Sequence, residues 1–168
     1  MLTAQQVIDR LKLVPLTIEG GYFRETYRAP LIIPVTGLPS EYTGDRNVST
    51  AIYYLLTPDT FSAIHIVRSV EAFHCYAGDP VEMIQFWPDG TSRVAIISDD
   101  LAAGHEPQLV VPAGVWQGCR LAQGGKWALM GCTVAPGFDY ADFELADNAE
   151  LTRQQPAHAE MIAALTKA

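Results

Sequence analysis

Between Gly20 and Val134 the chain is a succession of short runs rich in Val, Ile, Tyr and Phe, cut at intervals by Gly, Pro and Asp, with no helical periodicity between them. In a strand successive side chains point to opposite faces, so each run can bury one side only against other strands. Strands are predicted near 22–28, 48–56, 61–67, 71–77, 81–87, 92–98, 108–111, 115–122 and 126–134. Pro88-Asp89-Gly90 is a turn signal that joins two of them into a hairpin. So many strands without intervening helices leave a sandwich or a barrel as the architecture.

The flanks read differently. Thr3 is placed to cap a short leading helix whose Val7, Ile8, Leu11 and Leu13 gather on one side, and Pro15 stops it. After Pro136-Gly137 come Phe138, Tyr140 and Phe143, then helical patterns near 147–154 and 157–166, divided by Pro156. The segment 30–47, with Pro30, Pro34, Gly37, Pro39 and Gly44, reads as an irregular excursion of the kind used for lids and partner contacts. No internal repeat is visible. The expected organisation is one domain over 1–168, with a barrel core at about 20–135 and a helical tail at about 145–168.

Composition removes several function classes. Eleven basic against nineteen acidic residues give a net charge of -8, and the basic residues are scattered singly. Such a surface repels phosphate backbones and anionic membranes, so neither nucleic acid nor a membrane is an expected partner. No run approaches the length of an apolar membrane span, and Met1 to Leu13 lacks the pattern of a secretory leader. Cys75, Cys119 and Cys132 are an odd number of widely spaced cysteines in apolar runs, which reads as buried free thiols in a reducing compartment, the cytoplasm by default.

Strand alternation decides which residues can share a pocket. If His65 points inward, Phe61, Ala63 and Val67 do too; an inward Glu71 brings Phe73 and Cys75, and an inward Gln117 brings Cys119 and Leu121. The result is a mostly apolar cavity with three convergent polar groups, His65, Glu71 and Gln117, the usual form of a small-molecule site. His74 falls on the opposite parity and enters the cavity only through a bulge. Tyr53 is expected to line the cavity with Ala51 and Leu55 and to offer its hydroxyl as an acid. Alternation puts Tyr22, Arg24, Thr26 and Arg28 on one strand face, from which Arg24 could reach an anionic ligand group or an ion-pair partner. Trp116 reads as outer-face packing, and Trp127 as either core or a flat platform for a sugar ring. A metal would have to be held by His65, Glu71 and the weak amide oxygen of Gln117, with His74 the nearest further imidazole, so no metal cofactor is expected. A His beside a Glu in an apolar cavity is instead a poised general base, its tautomer set by the carboxylate.

Five segments in order carry a resemblance: Glu19-Gly-Gly-Tyr-Phe-Arg-Glu-Thr-Tyr-Arg28, Ser49 to Leu56, His65 to Gly78, Val111-Pro-Ala-Gly-Val-Trp-Gln117, and Gly131 to Phe138 with Phe143-Glu-Leu145. Over nearly its whole length the chain resembles the cupin superfamily, and within it the group called cupin family 5, domain of unknown function 985. The resemblance implies a mainly β, single-domain, RmlC-like jelly-roll β-barrel with a short N-terminal helix and C-terminal helices, paired as a homodimer and without an assigned activity. His65, Glu71 and Gly78 fall on the spacing of the first cupin metal motif, and Pro112, Gly114 and Gln117 on that of the second. Val67 and Gln117 stand where two of the family's metal-binding histidines belong. The metal-free sugar epimerases among cupins, which use an acid–base His and Tyr, are the nearest likeness in chemistry, with Tyr53 or Tyr76 as the candidate tyrosine.

The expected function is therefore a small-molecule-binding cupin acting on a carbohydrate, sugar nucleotide or keto acid as an isomerase or epimerase. His65 would be the base, Glu71 its orienter and Gln117 a substrate hydrogen-bond donor, with Phe73, Arg24, His74 and Trp127 as further ligand contacts. The alternatives are a metal-dependent oxygenase or lyase built on His65, Glu71 and Gln117, and a non-catalytic ligand-binding or storage module.

Overall fold

The computed structural model describes residues 2–167. Thr3 caps α1 (Ala4–Leu11) through a reciprocal pair of bonds with Gln6, a capping box that satisfies two otherwise orphaned backbone donors. The strands follow in chain order: β1 (Val14–Pro15), β2 (Tyr22–Arg28), β3 (Ile32–Ile33), β4 (Arg46–Asn47), β5 (Thr50–Leu56), β6 (Phe61–Val67) and β7 (Val70–Gly78). Then come β8 (Val81–Phe86), β9 (Ser92–Ile97), β10 (Gln108–Val111), β11 (Trp116–Leu121), β12 (Ala128–Ala135) and β13 (Phe143–Leu145), before α2 (Asn148–Gln154) and α3 (Ala159–Ala164). The long strands sit where the alternating pattern places them.

Two antiparallel sheets make the jelly-roll barrel, one of six strands in the order β1-β2-β5-β12-β7-β10, the other of five in the order β13-β6-β11-β8-β9. Their facing sides meet in one apolar core around Leu56, Phe73, Met83, Ile97, Cys119 and Met130. Each outer face also carries a helix. Val7 and Leu13 of the α1 region pack on Leu55 of the six-stranded sheet and on Trp127 just before β12, while Leu151, Ile162 and Leu165 cover Ile64, Ile84 and Phe86 of the five-stranded sheet. This double coverage is why β6 reads as an almost unbroken apolar run rather than an alternating one.

The excursion over 30–47 holds more regular structure than expected. Ile32 and Ile33 pair with Asn47 and Arg46 in a two-stranded ladder, and a single 3-10 turn spans Val35–Gly37. It is pinned by a buried bidentate ion pair, Arg46 Nε to Asp142 Oδ2 and a terminal Arg46 nitrogen to Asp142 Oδ1, each 2.7 Å. The pair ties the excursion to the segment just before β13, 96 residues away in sequence. Tyr42 stacks over the Arg46 guanidinium and donates or accepts at Ser69 Oγ at 2.9 Å.

Removing one partner of a buried ion pair strands the other charge in a medium that cannot solvate it. Asp142→Ala is expected to destabilise the chain by about 3–5 kcal/mol, and a paired Arg46→Met/Asp142→Leu variant to recover most of that loss. Urea unfolding midpoints of the three proteins check both statements.

Candidate functional site

A cavity of about 360 Å³ opens between the two sheets at one end of the barrel. β2 contributes Phe23, Glu25 and Arg28, β6 contributes His65 and Val67, β7 contributes Glu71, and β12 contributes Cys132. Phe138, Asp139, Tyr140 and Phe143 close over it, and Glu19 lines it from the turn before β2. Glycine is required at that turn. Gly20 has φ +125°, and a Cβ there would lie 2.0 Å from the Phe61 carbonyl oxygen. The close approach lets Ser62 Oγ donate to Glu19 Oε1 at 2.6 Å, fixing a carboxylate at the wall.

His65 is 2% exposed. Its Nδ1 lies 2.8 Å from the Ala63 carbonyl oxygen, an acceptor only, so Nδ1 carries the proton and donates. Nε2 is left with its lone pair and, among the described residues, without a protein partner. Phe143 stacks on the imidazole with centroids 5.0 Å apart. The expectation that Glu71 orients His65 is corrected here, because the backbone carbonyl of Ala63 performs that task.

Glu71 is held by the opposite sheet. Gln117 Nε2 donates to Glu71 Oε2 at 2.7 Å, and Gln117 itself is fully buried. Burial pushes the Glu71 carboxyl up from 4.5 to about 7, Glu19 adds to the rise, and His65 and the Gln117 amide work against it. The Cys132 thiol beside it is raised as well, chiefly by burial and then by the Glu71 charge, so it stays protonated. His65, Gln117 and Gln85 form one row across β6, β11 and β8. The Oε1 atoms of Gln117 and Gln85 are buried without a hydrogen-bond partner.

Several expected contacts lie elsewhere. Tyr53 projects from the outer face of β5, where it meets Tyr76 edge-on at 6.1 Å and Arg24 over its ring at 5.4 Å. The inward tyrosine is its neighbour Tyr54, whose hydroxyl donates to the Gly20 carbonyl oxygen at 3.0 Å and is raised by burial. Arg24 shares the outer face with Tyr53, so Arg28 replaces it as the cation at the cavity. The cause is a β-bulge: β2 pairs Glu25 with Ile52 but Tyr27 with Ala51, leaving Thr26 unmatched. One extra residue reverses parity and sends Arg28 to the side of Glu25. Trp127 packs beneath α1 and donates Nε1 to the Leu2 carbonyl oxygen at 2.9 Å, away from the cavity. Phe73 points inward but into the core below the cavity. His74 stays on the outer face, bonded to Thr133 Oγ1 and Gln108 Nε2 at 3.2 Å each and stacked on Tyr76.

The residues do not fit a catalytic metal. Val67 offers only hydrocarbon beside His65, and Gln117 directs its amide nitrogen at Glu71. Among the described residues no three His, Cys, Asp or Glu side chains are grouped so as to hold a metal ion, whereas catalytic sites ordinarily provide three good donors. What the cavity offers instead is a base with a fixed tautomer and a carboxyl poised near neutrality.

Comparison with known proteins identifies the family and the fold. Residues 5–146 match the family model described as Cupin superfamily (DUF985). An uncharacterised protein of Saccharomyces cerevisiae is 32% identical over 146 residues, 82% of this chain and 72% of its own length. A hypothetical protein from Leishmania major superposes with a TM-score of 0.89 at 31% identity, covering 99% of this chain and all of its own. Oxalate decarboxylase from Bacillus subtilis shares the fold alone, with a TM-score of 0.51 at 15% identity over 88% of this chain and 35% of that one. Among the described residues no helix is long and apolar enough to cross a membrane.

Burial raises the folded-state pKa of Glu71 above its ordinary value, so the folded chain keeps a proton that the unfolded chain has released. This contribution to stability therefore falls as pH rises from 4.5 to about 7 and is flat above that. Glu71→Gln, which removes the charge and keeps a partner for Gln117, is expected to raise stability at pH 8 by on the order of 3 kcal/mol relative to its effect at pH 4.5. Denaturant unfolding of both proteins at the two pH values checks it.

Proposed function

The chain belongs to the Cupin_5 family of the cupin superfamily, and from that premise we propose that its cavity binds a carbohydrate-like molecule and isomerises or epimerises it by metal-free acid–base chemistry. The observation that carries this reading is the His65 ring, held by the Ala63 carbonyl and the Phe143 face with Nε2 free, on the same cavity wall as Glu71. Two titratable groups with such different surroundings are what proton shuttling at neutral pH requires.

Nε2 of His65 takes the proton from a carbon next to the substrate carbonyl, while protonated Glu71 gives its proton to the carbonyl oxygen. The product of that step is an enediol. Delivery of the His65 proton to the former carbonyl carbon, with Glu71 taking the proton from the hydroxyl on the carbon first deprotonated, gives the isomer. Delivery of a solvent proton to the opposite face of the carbon first deprotonated, with Glu71 recovering its proton from the enediol hydroxyl on the former carbonyl carbon and His65 releasing its own to solvent, gives the epimer. Nδ1–H bonded to Ala63 stabilises the imidazolium between these events. Gln117 holds Glu71 at the wall.

Incubation of the purified chain with aldoses and ketoses in D2O tests the reading by mass spectrometry. Deuterium is expected at the carbon next to the carbonyl, at a rate reduced about 100-fold or more in His65→Ala. Exchange that depends on added iron, manganese or nickel and stops on chelation would favour the metal-dependent oxygenase or lyase class instead. Absence of exchange from every sugar that binds would identify a ligand-binding module.

A further inference from the structure

The charges on the cavity wall select among ligands that the proposed function would otherwise admit equally. Three carboxyl groups, from Glu19, Glu25 and Asp139, face one guanidinium, that of Arg28, while the neighbouring Glu71 keeps its proton up to about pH 7 and adds no charge at pH 6. Arg28 is already occupied. Its Nε and one terminal nitrogen donate to the two oxygens of Glu25 at 3.1 and 2.7 Å, and the other terminal nitrogen donates to Asn47 Oδ1 at 2.9 Å and to the Phe138 carbonyl oxygen at 3.3 Å. A phosphate or carboxylate entering the cavity would have to draw Arg28 away from Glu25 and leave that carboxylate facing it.

A cation meets the reverse situation. Glu19 is bonded by Ser62, Asp139 by the backbone N–H of Ala141, and among the described residues neither is ion-paired. Phe138 stands edge-on to Tyr140 and to Phe143, with centroids 5.1 and 6.3 Å apart, and these rings present electron-rich faces of the kind that attract ammonium groups. Independently of the acids, the buried His65 leaves Nε2 on this wall without a protein partner, an acceptor suited to an N–H donor.

We infer that the ligand of this cavity is a small organic cation, a sugar-sized amine, and not an anionic sugar nucleotide, sugar phosphate or keto acid. The inference rests on the reading of the cavity as a carbohydrate-like site but concerns binding, not turnover. It therefore fails or holds separately from the acid–base proposal, which isotope exchange decides.

Ligand-observed NMR titration with three probes of one skeleton, D-glucosamine, D-glucose and D-glucuronate, at pH 6 and low salt reads the charge preference directly. Glucosamine is expected to bind about tenfold or more tighter than glucuronate, with glucose between, and the gap to narrow as salt rises. Asp139→Asn, an exposed rim change that keeps a side-chain acceptor for Ala141, is expected to reduce the preference severalfold, and Glu19→Gln likewise. Glucuronate binding as tightly as glucosamine, a preference unmoved in both variants, or binding of none of the three at millimolar concentration would overturn the inference.

Discussion

The Gln117–Glu71 hydrogen bond joins the two sheets through the inside of the barrel, and the cavity depends on it. Glu71 stands on β7 of the six-stranded sheet and Gln117 on β11 of the five-stranded one, so a single 2.7 Å contact spans the interior where apolar packing would otherwise be expected. A second, longer bond repeats the arrangement from Gln85 to the Val110 carbonyl oxygen at 3.4 Å. An amide suits this place because it carries both a donor and an acceptor, so it can partner Glu71 in either protonation state. Leaving two buried glutamine oxygens unpaired costs about 1–3 kcal/mol each, a penalty that an apolar core would avoid. Of the polar row of His65, Gln117 and Gln85, only His65 reaches the cavity wall; Gln117 and Gln85 lie buried behind it, so Gln117 serves Glu71 and is not the substrate hydrogen-bond donor that the sequence suggested.

Most of the fold could be read from the chain because long strands repeat their alternation often enough to be recognised. β2, β5 to β9, β10, β11 and β12 lie close to their expected bounds, and Thr3 caps α1 as its position implies. β1, β3, β4 and β13 escaped because two or three residues cannot display a period of two. The excursion over 30–47 is ordered by a tertiary contact, Arg46 with Asp142, and its prolines and glycines disclose nothing of a partner so far along the chain.

The site was legible only in part. The motif spacing of His65 and Glu71 put both on the cavity wall, although β6 is bulged between Ser62 and His65, which reverses the parity of its first residues and sends Phe61, expected inward with His65, to the outer cluster beside Ile64. Parity misplaced the arginine because the bulge at Thr26 lies between Arg24 and Arg28, and a bulge leaves no reliable mark in composition. Tyr53 and Tyr54 are adjacent, so only the face assignment separates an outer-face residue from a core one. Trp127 was claimed by α1, which covers the outer sheet face. The rim residues Phe138 to Phe143 reach the cavity through folding alone, Phe138 lying 110 residues from the Arg28 it contacts. A cluster of aromatics after Pro136-Gly137 was the signal that could have indicated them.

The central claim is that Glu71 is a buried, amide-held carboxyl poised between charged and neutral forms, available to act with His65. Carbon-13 NMR titration of the glutamate side-chain carboxyls, with the Glu71 resonance identified by its loss in Glu71→Gln, measures this without any substrate. The structure predicts one carboxyl titrating with a midpoint of about 7. A Glu71 midpoint at the ordinary 4.5 would contradict the account, for the carboxyl would then be fully ionised at neutral pH and unable to serve as an acid.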